Sequence, residues 1–152
     1  MKLEGVVEIE APREQVWQTA FDPKVMAHVI PGVRTLDMVA PDEFHAQMKV
    51  GVGALNGTFT STLKLNEVTP PSFARLTIQG RGSIGQFSGS GTVQLEDHKS
   101  QTRINYQSDI HISGPMAGLG EGLMITITNV LIHQAAEIFT KICNEKRSET
   151  QP

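Results

Sequence analysis

The side chains able to do chemistry are few, and they do not gather into a familiar arrangement. The sequence carries five histidines and one cysteine. His45 and His111 fall on the polar phases of alternating segments, His98 lies in a turn signal, and His28 and His133 lie on helical segments with no second ligand at metal spacing. Neither His-Glu-x-x-His nor Cys-x-x-Cys occurs, so no metal and no molybdenum centre is expected in this chain. Gly-x-Ser-x-Gly and a phosphate loop are also missing. Gly80-Arg81-Gly82-Ser83-Ile84-Gly85 spells Gly-x-Gly-x-x-Gly, yet it joins two alternating segments and opens no helix, so a dinucleotide reading fails on context. Asp109 and Glu121 have the chemistry of an acid and a base at a pocket mouth, but nothing in their spacing brings them together. Cys143 reads as a small buried apolar residue.

Charge and cysteine usage narrow the classes further. Thirteen Lys and Arg stand against sixteen Asp and Glu, scattered along the chain, for a net charge of −3. Such a chain has no basic surface with which to neutralise phosphates, so no nucleic-acid partner is expected. A single cysteine excludes an intramolecular disulfide and fits a reducing, cytoplasmic compartment. The opening Met1-Lys2-Leu3-Glu4-Gly5 lacks the basic and apolar regions of a secretory signal. The most apolar stretch, Leu119 to Phe139, is interrupted by Glu121, Asn129, His133 and Glu137, which argues against a membrane span.

Periodicity supplies the elements that would position a site. Leu3, Val7 and Ile9 alternate with Glu4, Glu8 and Glu10 in a first strand with one slip near Gly5. Pro12 and the Asp22-Pro23 pair each start a short helix, the second carrying Val25, Met26 and Val29 on its apolar stripe. From Val33 onward the period is two. Turn signals at Pro41-Asp42, Asn56-Gly57, Pro70-Pro71, Gly82 and Asp97 to Ser100 separate six more strands. One wet and one covered face predict an antiparallel sheet, and the cover is a C-terminal helix in which Leu119, Leu123, Ile127, Val130, Leu131, Gln134, Ile138 and Ile142 recur at helical spacing. Its glycine-rich approach, Gly114 to Gly122, predicts soft first turns. With 152 residues the expectation is one α+β domain over 1–147, a curved seven-stranded antiparallel sheet around a long C-terminal helix with two short helices after the first strand. Residues 148–152 are expected to be a frayed tail.

One strand is low in bulk. Phe87, Gly89, Gly91, Val93 and Leu95 share a phase, and glycine packs nothing there. Two compatible readings follow: the glycines let the sheet bend, or they leave a void beneath the helix. The void would be lined by Met48, Val50, Phe59, Ser61, Leu63, Ile78, Phe87, Gly89, Gly91, Tyr106, Leu119, Leu123 and Ile127. Tyr106, Ser61, Ser108 and Gln134 would be its nearest polar groups. These are poor acids and bases at neutral pH, which favours a carrier of a hydrophobic small molecule over a cyclase- or hydrolase-type enzyme. An interaction protein with a filled core is the third reading.

The element order resembles the START-like, helix-grip superfamily over nearly the whole chain. Within it, Glu8-Ile9-Glu10-Ala11-Pro12-Arg13-Glu14-Gln15-Val16-Trp17, Ile30-Pro31-Gly32-Val33, Lys49-Val50-Gly51-Val52-Gly53, Asn56-Gly57-Thr58-Phe59, Gly89-Ser90-Gly91 and Gly114-Pro115-Met116-Ala117-Gly118-Leu119-Gly120 resemble the carbon monoxide dehydrogenase G-subunit family. That resemblance implies an accessory role beside a molybdenum-containing hydroxylase, recruitment of that enzyme to the membrane, and carriage of a lipophilic electron acceptor such as an isoprenoid quinone. No cofactor would be tightly bound. The location implied is the cytoplasm, peripheral at the inner face of the membrane, with Met26 or Val29 as candidate contacts.

Overall fold

Alternation of apolar and polar residues from Val33 onward, interrupted by register shifts at Val33/Thr35, Met38/Ala40 and Leu65/Glu67, yields strands joined by tight turns, and each of these strands pairs with its neighbour in sequence. The computed structural model describes residues 1–150, with side chains for 1–146. Its elements are β1 (Lys2–Ile9), α1 (Arg13–Ala20), α2 (Pro23–Val29), β2 (Val33–Ala40), β3 (Glu43–Val52), β4 (Leu55–Thr69), β5 (Phe73–Gly82), β6 (Gly85–His98), β7 (Gln101–Ser113), a 3₁₀ turn (Pro115–Leu119) and α3 (Glu121–Thr150). All strands lie in one antiparallel sheet of order β1-β7-β6-β5-β4-β3-β2, so β1 and β2 are its two edges. The expected α+β architecture and seven strands are observed. The tail expected at 148–152 falls beyond the residues whose side chains are described.

Local chemistry explains the element boundaries, with three departures from expectation. Asp22 caps α2 by accepting a hydrogen bond from the Lys24 amide at 3.0 Å, ahead of Pro23 in the first turn. The β3–β4 turn is made by Gly53-Ala54, where Gly53 adopts φ +57°, and Asn56-Gly57 lies inside β4. Gly57 is glycine for another reason: a Cβ there would sit 2.7 Å from the Ile84 side chain. The β6–β7 turn falls on Lys99 and Ser100, both at positive φ, which leaves His98 at the end of β6. The slip expected near Gly5 is not observed. Lys2 to Ile9 pair continuously with Thr102 to Asp109, and Val6 points outward at 54% exposure.

The core is divided into two clusters, one at each end of α3. The first joins Ile9, Ala11, Val16, Val29, Leu95, Phe139 and Cys143, with Trp17, Val25, Met26, Ile138 and Ile142 packed against it. Thr102, fully buried, donates to the Ala11 carbonyl at 2.7 Å, and the Gln15 amide donates to the Cys143 carbonyl at 3.0 Å, tying β7, α1 and α3 together. The second joins Val50, Leu55, Phe59, Met116, Met124 and Ile127, with Phe87, Ile112, Leu119 and Leu131 against it. Ile127, Leu131 and Ile138 therefore face inward, as expected. Val29 is buried in the first cluster, and Met26 is partly buried against it.

The phase of α3 differs from expectation in its first half. Gly114 and Gly120, at φ +85° and +89°, bracket the 3₁₀ turn, so Leu119 precedes the helix and does not set its register. Leu123 is 42% exposed and Gln134 is also exposed, while Met124 and Phe139 take the inward positions. By length and composition Glu121–Lys146 is apolar enough to cross a membrane. In this fold its inner stripe is shared between the two clusters.

Candidate functional site

The strand register places the concave face residue by residue, because directly paired residues share a face. One cross-strand row runs Phe44, Leu63, Ile78, Gly89, Ile110 across β3 to β7. The next runs Leu65, Leu76, Gly91, Ser108, Leu3 across β4 to β7 and on to β1. These two rows lie between the two clusters, and their large side chains in β3 to β7 belong to neither. Phe44, Leu63, Leu65, Leu76, Ile78 and Ile110 turn toward the helix side and yet remain partly exposed. An inward-facing apolar surface that stays in contact with solvent is a candidate binding groove.

The expected lining divides accordingly. Leu63, Ile78, Gly89 and Gly91 lie in the two central rows, and Tyr106 stands beside them opposite Gly5 and Val93. Val50, Phe59 and Ile127 are buried in the second cluster, with Phe87 and Leu119 packed against it, so these five build one end wall. Met48 and Ser61 lie next to that end, the Ser61 hydroxyl 3.7 Å from the Met48 sulfur. Leu123 faces solvent and is replaced by Met124. Phe44, Leu65, Leu76 and Ile110 escaped inclusion, although their alternation alone assigns them to this face.

The glycines prove to serve packing within the sheet. A Cβ on Gly80 would fall on the Phe87 ring, and one on Gly82 would meet the Thr58 carbonyl and the Phe59 ring. Phe87 and Phe59 thus lie over bare backbone and form a tilted pair, ring centroids 5.8 Å apart at 56°. A Cβ on Gly89 would press into the β7 backbone at Asp109 and Ile110, and one on Gly91 would lie 2.8 Å from the Gln107 carbonyl. These two glycines permit a close β6–β7 approach in a strongly coiled sheet, which is the bend reading. Gly118 and Gly122, by contrast, have open space where a side chain would go.

No side chain on the two central rows is a carboxylate, amine or imidazole, and the first row ends at Ile110, whose carbonyl accepts from the N-terminal ammonium of Met1 at 2.8 Å. The polar groups on the concave side are hydroxyls: Ser61, Ser108, Tyr106 and, at the β1 end, Thr102. Asp109 stands on the opposite face, paired in register with Lys2 and Ser90. His45 lies 3.1 Å from Glu43, and His98 joins Arg103 and Glu8 in an exposed ion-pair cluster on the outer side. Among the described residues no three His, Cys, Asp or Glu side chains are grouped so as to hold a metal. Two further concavities lie outside the groove. One, of about 450 Å³, is a polar saddle on the convex face around Thr60, Gln79, Arg81, Gln86 and His111. The other, of about 420 Å³, runs between β1 and α3 beside Val6, Glu8, His133 and Lys141.

Comparison with known proteins agrees with this architecture. The family model described as the carbon monoxide dehydrogenase G subunit, CoxG, matches residues 5–143. Similar solved structures include a conserved protein from Geobacillus kaustophilus, with a TM-score of 0.91, 21% identity and coverage of 95% of this chain and 96% of that one. A START superfamily protein from Mycobacterium smegmatis superposes with a TM-score of 0.70 at 10% identity, covering 95% of this chain and 97% of that one. At such identities the likeness shows the fold. No curated protein matches the chain.

Proposed function

The chain belongs to the carbon monoxide dehydrogenase G-subunit family, CoxG, and from that premise we propose that it is a non-catalytic binding protein whose groove carries a lipophilic molecule for a molybdenum-containing hydroxylase. The observation that carries the reading is the pair of central rows: inward-facing, apolar, partly exposed, and with no acidic or basic side chain. A site of this composition offers area and little else, and at roughly 25 cal/mol per Å² of apolar surface removed from water it favours a ligand that is itself apolar. An acyl-transfer, hydrolytic or cyclising site would need at least two convergent titratable or donor groups, and the concave side presents hydroxyls only. An isoprenoid quinone is the first candidate ligand, because the partner implied by the family is a redox enzyme. The proposed location is the cytoplasm, peripheral at the inner face of the membrane.

Native mass spectrometry of the purified protein with a short-chain isoprenoid quinone tests this directly. A one-to-one complex is expected, competed by other lipophiles. Absence of any lipophile adduct, with the protein folded, would overturn the proposal.

A further inference from the structure

Every hydroxyl on the concave side but one is committed to a protein partner. Thr102 donates to Ala11, Ser61 to the Met48 sulfur, and Ser108 to the Leu3 carbonyl at 3.4 Å; on α3, Thr128 donates to the Met124 carbonyl at 2.8 Å. The Tyr106 hydroxyl makes no hydrogen bond within the described residues. Nor is it sealed away: Arg13 Nε is the one fully buried side-chain polar atom without a hydrogen bond among those residues, so the phenol oxygen remains reachable from solvent. Its position depends on Gly5. The ring lies across β1 at that residue, where a Cβ would stand 2.5 Å from the phenol oxygen and 2.8 Å from Cζ.

We propose that Tyr106 is the polar anchor of the groove, hydrogen-bonding the oxygen of a lipophile that carries a carbonyl or hydroxyl at one end. This deepens the binding reading above and rests on it. A phenol both donates and accepts, so it serves a ketone, a quinone carbonyl or an alcohol alike. In an apolar groove an uncommitted donor discriminates, because a ligand without an oxygen leaves it unpaired. The geometry also gives orientation. Tyr106 pairs with Val93, which packs on the cluster around α1 and Phe139. The hydroxyl itself stands over Gly5 on the opposite neighbour, so the oxygenated end lies at the β1 side and the apolar tail runs over Leu76, Ile78 and Leu63 toward β3.

Tyr106 is the sole tyrosine of the chain, so protein labelled with ¹³Cζ-tyrosine gives one ring signal that needs no assignment. The probes are a medium-chain methyl ketone and the n-alkane of equal length, each titrated into the wild type, Tyr106→Phe and Gly5→Ala. The wild type is expected to bind both, and the Cζ signal to shift with the ketone alone. Tyr106→Phe should weaken the ketone about three- to tenfold and leave the alkane unchanged. Gly5→Ala, which pushes the hydroxyl from its place, should do the same. If the wild type binds neither probe, the binding reading falls and the anchor with it. If it binds both but the signal is indifferent to the ketone, or the variants weaken both probes alike or neither, the anchor is wrong while the groove stands.

Discussion

Replacing Gly80 with alanine puts a methyl group where the Phe87 ring now lies. The obstruction is a side chain and not backbone, so the strand can stay in place while the ring is evicted. Three terms set the cost. The tilted contact with Phe59 is worth about 0.5–1.5 kcal/mol beyond area. Re-exposing part of a half-buried phenyl ring costs about 1–2 kcal/mol. Against these, Gly→Ala restricts the unfolded chain and returns about 0.4–1 kcal/mol. The net expectation is a destabilisation of about 1–2.5 kcal/mol, or a fall in Tm of about 3–8 °C for a chain of this size. Urea unfolding followed by the single Trp17 measures it. The decisive arm is the double variant: with Phe87→Ala already made, the ring that the new methyl would strike is gone, so the two losses should couple by about 1–2 kcal/mol. Losses that add within about 0.5 kcal/mol, or a Gly80→Ala protein as stable as wild type, would refute the claim that Gly80 exists to admit a ring.

Other outcomes follow from the same geometry. Thr102→Val keeps the shape but strands the Ala11 carbonyl, so it should cost about 1–3 kcal/mol in urea unfolding, more than Thr102→Ser, which keeps the hydroxyl. Ile78→Trp places bulk in the middle of the central row and should lower lipophile affinity about tenfold or more with Tm changed by only a few degrees; undiminished binding in native mass spectrometry would move the ligand elsewhere. Cys143 has no exposed surface and should react with a thiol reagent only as fast as the protein opens, so its labelling rate should track urea concentration; immediate labelling in buffer would contradict its burial.

The strands were legible because most of them carry chemical alternation, and the two short helices because each opens on a recognisable proline start. Proximity along a face was not legible. Alternation assigned Val50, Phe59, Leu63 and Ile78 to one side, yet only the path of α3 decides that the first two close a core while the others line an opening. The helix phase failed at Leu123 because a 3₁₀ turn ending in Gly120 resets the count, and a residue string does not announce where one helical pitch gives way to another. Glycine was the least legible residue. Gly5 resembled a slip, Gly57 a turn and Gly91 either a bend or a hole; each has a close neighbour distant in sequence: Tyr106, Ile84 and Gln107. Such a neighbour exists only after the strands have paired.

The sheet order separates local from distant assembly. From β3 to β7 every strand pairs with the one before it, so the meander that begins at β2 can zip through successive short hairpins. β1 is different: its sole neighbour, β7, lies about 100 residues along the chain, with Lys2 opposite Asp109. Bringing such ends together carries a length-dependent entropy cost of about 4 kcal/mol before any contact returns it. The edge that carries Gly5, and the ring laid across it, therefore depends on the most expensive loop closure in the molecule. The seat of that ring is complete only once β1 has docked, so partly assembled chains would present the apolar rows with the Tyr106 hydroxyl not yet held in place over Gly5.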